Sequence, residues 1–236
     1  MSPDLRVLPD AGWAGVVVAE WSARLAGNPG LRMCLPTGKT PSPVYRGIAD
    51  AGDFSRSSIF LLDEFGLPPD DPARCDVTLR RDLIDRLDTG PAMFDSLNPQ
   101  ASDIGAECDR YEMAIAAGGL GLTLLGLGNN GHLGLNEPGC DPGCPTRKVT
   151  LAAETIDGLS GYGARATTDW GITVGLGRLL QSDEIWLLVT GPGKAGILRR
   201  TLEDPISPEI PATYLRTAPN VIIWADESAA AELATV

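Results

Sequence analysis

The sequence predicts one α/β domain, a layered Rossmann-like fold in which helices flank a mainly parallel central sheet. Short apolar runs alternate with longer amphipathic segments, which is the pattern of successive strand–helix–strand units. The 236 residues are 43% hydrophobic and 21% charged, as in a folded globular protein. No internal repeat or Ser/Gly-rich linker divides them, so residues 1–236 are expected to form a single domain.

Five apolar runs are the candidate strands. Most are nearly continuous rather than alternating, as expected for strands that are buried on both faces of a parallel sheet. They are residues 31–35, 58–62, 122–125, 185–189 and 221–224. The candidate helices between them are residues 12–25, 41–51, 78–86, 101–117 and 194–202. Residues 139–166 are rich in Gly, Pro and Thr, and they predict a long surface excursion that acts as a mobile lid.

The charge balance limits the partners. With 19 basic and 31 acidic residues the net charge is −12, so we expect no nucleic-acid partner. An anionic ligand would need a local cluster of Lys, Arg or backbone N–H groups. The first residues lack a basic segment followed by an apolar run, and no stretch approaches the roughly 18 apolar residues of a membrane span. We therefore expect a cytoplasmic protein with no membrane partner.

The five cysteines are scattered, and Cys140 and Cys144 are the only close pair. No second pair accompanies them, and the only histidine, His132, lies eight residues before Cys140. This spacing does not supply the ligands of a zinc site, so we predict reduced structural thiols and no metal.

Polar or glycine-rich segments follow four of the predicted strands. They are PTGKTP at 36–41, DEFG at 63–66, GLGNNGHLGLNEPG at 126–139 and TGPGK at 190–194. Because ligands bind beyond the carboxyl ends of parallel strands, we expect these segments to converge on one site.

The first and last of these segments are suited to a phosphate. Residues 36–41 resemble the end of a Walker A loop, but Met33 stands where that motif needs a glycine. Free N–H groups and hydroxyls at a helix start still suit a phosphate monoester, although an ordinary turn is the alternative. The candidate phosphate-binding residues here are Thr37, Gly38, Lys39 and Thr40. Lys194 begins a helix and would add charge, unless it is simply a solvated lysine.

The third segment contains a G-x-G-x-x-G pattern at residues 126–131. A dinucleotide fingerprint must open a helix, and the glycines and proline that follow prevent one, so no nicotinamide cofactor is predicted. Gly128 and Gly131 instead allow the backbone to approach a ligand closely. They would hold His132 and Glu137 towards that ligand, with His132 as an acid or base.

Asp63 and Glu64 end a predicted buried strand. Asp63 is a candidate base that would act on a carbon acid or an ammonium-bearing carbon, and Glu64 is a candidate substrate contact. A solvated pair of carboxylates that caps the strand is the alternative.

Five strings together resemble, in order and spacing, the glucosamine-6-phosphate deaminase/isomerase family from about residue 10 to residue 228. They are LPTGKTP, LLDEFGLP, LLGLGNNGHLGLNEPG, ITVGLGRLL and LLVTGPGK. The third string, with LLVTGxGK and IPAxxL, is most similar to the galactosamine-6-phosphate branch. The related 6-phosphogluconolactonases share the G-x-G-x-x-G-H core but carry Ser-Leu-Phe-Pro after the histidine, where this chain has Leu135-Asn-Glu-Pro138.

The resemblance implies an enzyme that converts a 2-amino-2-deoxyhexose 6-phosphate into a ketose 6-phosphate and ammonia without any cofactor. It assigns Asp63 to proton transfer between C1 and C2, and His132 to ring opening at O5. Glu137 is implied as the carboxylate partner of His132. The loop at Gly38, Lys39 and Thr40 is implied to hold the phosphate together with Lys194.

Two positions need separate treatment. Asn130 stands where glucosamine members of the family have Asp, and the galactosamine branch shares Asn, so galactosamine 6-phosphate is favoured over glucosamine 6-phosphate. An amide can hold a histidine tautomer but cannot stabilise an imidazolium by charge. The family also places a lid arginine against the phosphate, and Arg147 is preferred to Arg165 for that role.

Two other functions remain open from the sequence. One is hydrolysis of 6-phosphogluconolactone, with His132 activating water. The other is a non-enzymatic sugar-phosphate sensor, which the acidic charge and the absence of a helix-turn-helix arm disfavour. The expected partner is a small sugar phosphate, and the sequence leaves the oligomeric state open. No long regulatory tail is expected after the last predicted strand.

Overall fold

The computed structural model describes residues 2–234 and contains two β-sheets. The strands are β1 (Asp4–Leu8), β2 (Arg32–Leu35), β3 (Ser58–Leu61), β4 (Asp63–Phe65), β5 (Met93–Asp95), β6 (Leu122–Gly126), β7 (Arg147–Thr150), β8 (Trp170–Thr173), β9 (Ile185–Val189) and β10 (Val221–Asp226). The larger sheet has seven parallel strands in the order β1-β10-β9-β6-β2-β3-β5.

Helices cover both faces of the larger sheet. They are α1 (Trp13–Gly27), α2 (Ser42–Ala51), α3 (Cys75–Asp82), α4 (Ile104–Ala116), α5 (Ala153–Gly158), α6 (Leu176–Leu179) and α7 (Ala195–Glu203). Successive residues of a strand point to opposite faces, so Met33 packs in the cluster that holds α1–α3, while Cys34 packs in the cluster that holds α4, α6 and α7. The predicted α/β/α layering with a mainly parallel sheet is confirmed.

The strand order places a crevice between β2 and β6. From β2 the chain continues outwards through β3 to β5, whereas from β6 it proceeds in the other direction, to β9 and β10. The loops that follow β2 and β6 therefore diverge. Such a point of reversal is where open parallel sheets bind ligands.

The smaller sheet is antiparallel and has the order β4-β8-β7. Its first strand starts at Asp63, and only Leu62 separates it from the end of β3 at Leu61, so Leu62 is the junction between the two sheets. Asp63 pairs with Thr173 across this smaller sheet. A buried carboxyl group is thereby placed where the sheets meet, at the carboxyl end of β3.

All five predicted strands are present, with bounds that differ by no more than two residues. The helix predicted at 78–86 was wrong in its limits: α3 begins at Cys75, and a separate 3₁₀ turn follows at Ile84–Arg86. The sequence did not predict β1, β4, β5, β7 or β8. Residues 139–166, the predicted surface excursion, contain β7, α5 and a 3₁₀ turn at Leu159–Tyr162. No helix within residues 2–234 is long and apolar enough to cross a membrane.

Candidate active site

A cleft of about 510 Å³ opens beyond the carboxyl ends of β2, β3, β6 and β9. Residues 36–41 form one side of it, and residues 126–130 with His132 form another. Leu62 and Asp63 line it from the end of β3, and Lys194 lines it from the segment after β9. The predicted convergence of the four segments is therefore what the structure shows.

Asp63 is the buried carboxyl group of this cleft, with only 8% of its surface exposed. Burial raises its pKa to about 6, although the neighbouring Cys75 thiol and His132 oppose this rise. Gly134 lies against it with φ +60°, and a Cβ at that glycine would come within 3.2 Å of Oδ2 of Asp63. Asp63 is thus mostly ionised at neutral pH, yet it is a stronger base than an exposed aspartate.

His132 lies in the loop after β6, with a quarter of its side chain exposed. Its Nδ1 is 3.3 Å from Oε2 of Glu137. The ring lies directly on Gly128, because a Cβ there would be only 2.3 Å from Cδ2 of the imidazole. Since Nδ1 faces Glu137, Nε2 is the nitrogen left to exchange a proton with a bound ligand.

Glu137 is held by groups from two parts of the chain. The Asn130 amide donates to its Oε2 over 3.0 Å, and the Thr155 hydroxyl on α5 donates to its Oε1. Burial alone would raise the pKa of Glu137, but the contacts with His132, Thr155 and Asn130 outweigh this effect and lower the pKa to about 2. Glu137 is therefore a carboxylate at neutral pH and can stabilise an imidazolium by charge.

Asn130 does not bind the imidazole ring, which corrects the expectation that it holds a histidine tautomer. Its Oδ1 accepts the backbone N–H of His132 over 3.1 Å. Its Nδ2 donates to Glu137 and also lies 3.4 Å from Oε2 of Glu154. Asn130 therefore positions the loop and the carboxylate, and its amide group separates two acidic side chains.

The predicted phosphate loop lines the opposite side of the cleft. Gly38 has φ +121°, which favours glycine, and Lys39 on the same loop is exposed. The hydroxyl of Thr40 lies 3.2 Å from that of Thr190, so the loops after β2 and β9 touch. Lys194 donates to Oδ1 of Asn129, and burial lowers its pKa. Two lysines therefore supply local positive charge in a chain of net charge −12.

Glu64 was wrongly predicted as a substrate contact. Neighbouring residues of a strand point in opposite directions, so Glu64 turns away from the cleft that Asp63 faces. Glu64 is fully buried, and its carboxylate accepts the backbone N–H groups of Cys75 and Asp76 at the start of α3. It also lies 3.4 Å from the guanidinium of Arg74.

Gly131 and Arg147 also lie outside the described lining of the cleft. A Cβ at Gly131 would come within 2.5 Å of Ile210, so this glycine is a packing residue. Arg147 donates to Oδ1 of Asn136 over 2.8 Å, and its guanidinium contacts the sulfurs of Cys140 and Cys144. These contacts turn Arg147 away from a phosphate in the cleft. The alternative, Arg165, does not line the cleft either.

The cleft also contains residues that sequence reasoning missed. Cys75 at the start of α3 neighbours Asp63, and Tyr162 places its hydroxyl near Gly38. Glu154 and Thr155 reach the cleft from α5. The sequence offered no signal for Cys75, and none for Glu154, Thr155 and Tyr162 beyond their place in the predicted lid. Within residues 2–234 the structure shows no group of three or more His, Cys, Asp or Glu side chains that could hold a metal ion.

The fold and the cleft define an α/β enzyme in which a buried carboxyl group and a histidine backed by a carboxylate share a cleft with a basic, hydroxyl-rich loop. Comparison with known families identifies it further. The chain belongs to the family of glucosamine-6-phosphate isomerases and 6-phosphogluconolactonases, which matches residues 11–224. The resemblance inferred from the motifs is thereby confirmed.

Individual relatives agree with this assignment. A glucosamine-6-phosphate deaminase of Streptomyces avermitilis is 35% identical, over 96% of this chain and 91% of its own. One of Pseudarthrobacter chlorophenolicus is 40% identical, over 84% of this chain and 80% of its own. The solved structure of a monomeric glucosamine-6-phosphate deaminase has a TM-score of 0.90 at 29% identity, covering 98% of this chain and all of the other. A 6-phosphogluconolactonase from Thermotoga maritima, at 21% identity and a TM-score of 0.77, shares the fold.

Proposed function

We propose that this enzyme converts a 2-amino-2-deoxyhexose 6-phosphate, with glucosamine 6-phosphate as the first candidate, into the ketose 6-phosphate and ammonia. One observation carries the proposal. Asp63, a base of raised pKa, and His132, whose Nδ1 is 3.3 Å from Oε2 of Glu137, line the same cleft as a loop suited to a phosphate. The names of the relatives support the choice of substrate.

Ring opening is the task of His132. The protonated imidazole donates to the ring oxygen O5, the C1–O5 bond breaks, and the O1 hydroxyl loses its proton to solvent, which leaves the open-chain aldehyde. Glu137, 3.3 Å from Nδ1, stabilises the imidazolium before the transfer. Its pKa of about 2 keeps it charged throughout the neutral range.

Isomerisation is the task of Asp63. The carboxylate takes the proton from C2 of the open chain while O1 takes a proton from solvent, which gives an enolamine, and Asp63 then returns its proton to C1. The product is an iminium at C2, water adds to that carbon, and ammonia leaves as the ketone forms and a proton returns to solvent. A carboxyl group with a pKa of about 6 is suited to both halves of this transfer near neutral pH.

The phosphate is held at the other side of the cleft. Lys39 and Lys194 neutralise its charge, and Thr37, Thr40 and the amino end of α2 donate hydrogen bonds. Residues 139–166 act as a lid in this proposal, because α5 and Tyr162 line the cleft.

Galactosamine 6-phosphate is the second candidate substrate, favoured by the similarity of the third motif to the galactosamine branch. The contacts of Asn130 weaken that preference. Its amide group contacts both Glu137 and Glu154, and these contacts give a reason for Asn that does not involve the substrate. We therefore place the glucosamine epimer first.

The test is a steady-state assay of ammonia release from both C4 epimers. We expect release from at least one of them, and a loss of more than about 1,000-fold in Asp63→Asn and in His132→Ala, since each removes a group that transfers a proton. Asp109→Asn, on the exposed surface of α4, is the matched control. Hydrolysis of 6-phosphogluconolactone without ammonia release from either amino sugar would overturn the proposal in favour of the lactonase alternative.

A further inference from the structure

Cys140 and Cys144 lie in contact just outside the cleft, in the segment between Glu137 and β7. Their sulfurs are 3.2 Å apart. The chain reverses between them, because the N–H of Cys144 donates to the carbonyl of Asp141 and the Asp141 carboxylate accepts the N–H of Gly143. A disulfide has an S–S bond of about 2.05 Å, so the two sulfurs need to approach by little more than about 1 Å.

The surroundings of this pair stabilise a thiolate. The guanidinium of Arg147 donates to Cys144 over 3.0 Å and to Cys140 over 3.1 Å. The Cys140 thiol is the largest influence on Cys144 and lowers its pKa to about 6, against the effect of burial. The pKa of Cys140 is raised well above its usual range by this contact with Cys144, together with burial. Cys144 is also the more exposed of the two cysteines, so it is the one that meets an oxidant and acts as the nucleophile.

The other three cysteines have different surroundings. Cys34, Cys75 and Cys108 are buried, with at most 5% of their surface exposed, and burial raises the pKa of each thiol. Cys144 is partly exposed, so a small molecule in solvent can reach it. The positive charge of Arg147 beside both sulfurs disfavours a bound metal cation and favours an anionic sulfur.

We propose that Cys140 and Cys144 form a dithiol that hydroperoxides oxidise to an intramolecular disulfide. In the first step the Cys144 thiolate attacks one oxygen of hydrogen peroxide, the O–O bond breaks, and hydroxide leaves, which gives a sulfenic acid at Cys144. In the second step the sulfur of Cys140 attacks that of Cys144, loses its proton, and displaces the oxygen as water. Two thiols supply two electrons, and one peroxide is reduced to two molecules of water.

The experiment is a thiol count on the full reduced chain after treatment with a small excess of hydrogen peroxide. We expect an intact-mass loss of about 2 Da, since two protons leave as one S–S bond forms, and three alkylatable thiols after denaturation instead of five. The mass loss should fall on the peptide that contains both Cys140 and Cys144. Dithiothreitol should restore all five thiols.

Serine variants distinguish the roles of the two cysteines. Cys144→Ser should abolish the reaction, and Cys140→Ser should stop at a sulfenic or sulfinic acid on Cys144, seen as a gain of about 16 or 32 Da. Cys108→Ser is the matched control, and it should still lose about 2 Da on the same peptide. Five free thiols after treatment of the wild-type chain, or a disulfide that involves another cysteine, would overturn the proposal. The thiol count does not depend on catalysis. A negative result would therefore overturn the disulfide proposal and leave the proposed deaminase activity to its own assay.

Discussion

The side-chain amide of Asn130 donates to Oε2 of Glu137 over 3.0 Å, while its carbonyl oxygen accepts the backbone N–H of His132. This amide therefore aligns the carboxylate with the histidine that it supports. A carboxylate at position 130 could not donate to Glu137. It would also stand beside Glu154, whose Oε2 is 3.4 Å from the amide nitrogen.

Asn130→Asp is accordingly expected to destabilise the fold. Three carboxylates would then lie together, and loss of the donor together with charge repulsion should cost about 1–2 kcal/mol. Thermal unfolding at pH 7.5 measures the effect, and adding Glu154→Gln should recover part of the loss. An Asn130→Asp variant as stable as the wild type would show that the amide is not required.

The pKa of Asp63, about 6, predicts the acid side of the pH profile. The carboxylate must be ionised to take the C2 proton, so kcat/KM should fall about tenfold per pH unit below 6. The measurement is kcat/KM for ammonia release between pH 4.5 and 8.5, at constant ionic strength. A midpoint near pH 4, the value for an exposed aspartate, would contradict the burial argument.

Burial of the charged Asp63 carboxylate also lowers the free energy of unfolding. The unfolded chain binds the Asp63 proton only below about its ordinary pKa of 3.8, whereas the folded chain binds it below about 6. The charged form thus destabilises the folded state above pH 6, and this cost disappears as the pH falls towards 4. Asp63→Asn should therefore raise the free energy of unfolding by about 3 kcal/mol at pH 8 and by much less at pH 4. Asp109→Asn should change neither value, and equal gains at both pH values would refute the explanation.

Lys39 and Lys194 are expected to act on substrate affinity. Replacing either by Ala removes a charged contact with phosphate, which should raise KM about 10–100-fold and change kcat far less. Lys148→Ala is the matched control, since Lys148 lies on β7 against Trp170 and outside the described lining of the cleft. A fall in kcat at unchanged KM would assign these lysines to another step.

Gly128 is expected to be intolerant of any side chain. A methyl group there would lie 2.3 Å from the His132 ring and displace it, so Gly128→Ala should lower kcat at least about 100-fold. Gly15→Ala adds the same methyl group on α1, where no atom lies within 4 Å, and should leave kcat unchanged. Near-normal kcat in Gly128→Ala would mean that the ring position is not critical.

The sequence was sufficient to predict how the larger sheet converges on the site. Buried parallel strands leave continuous apolar runs, and the polar segments after them must meet at one edge. Asp63, His132, Thr37 and Lys194 were therefore correctly expected to share a cleft. The small antiparallel sheet was not predictable in this way, because β4 has only three residues and pairs with β8, more than 100 positions further along the chain.

The failure to predict this sheet explains why Glu64 and Arg147 were wrongly predicted. The predicted strand stopped at residue 62 with Asp63 and Glu64 at its end, so the alternation that puts them on opposite faces of β4 was not applied to them. Without β7 the orientation of Arg147 could not be inferred, and its contact with the sulfurs of Cys140 and Cys144 leaves no sequence pattern. Tyr162 reaches the cleft only through the folding of residues 139–166.

The hydrogen bond from Thr155 to Glu137 links the position of α5 to the step in which the sugar ring opens. Thr155 belongs to α5, whereas Glu137 belongs to the segment that follows β6. The pKa of Glu137 therefore depends on where α5 lies. Displacement of α5 would withdraw one donor from Glu137 and let its pKa rise towards the ordinary value. With α5 displaced, Glu137 would stabilise the imidazolium of His132 less well. Ring opening would then be coupled to the placement of α5 over the cleft.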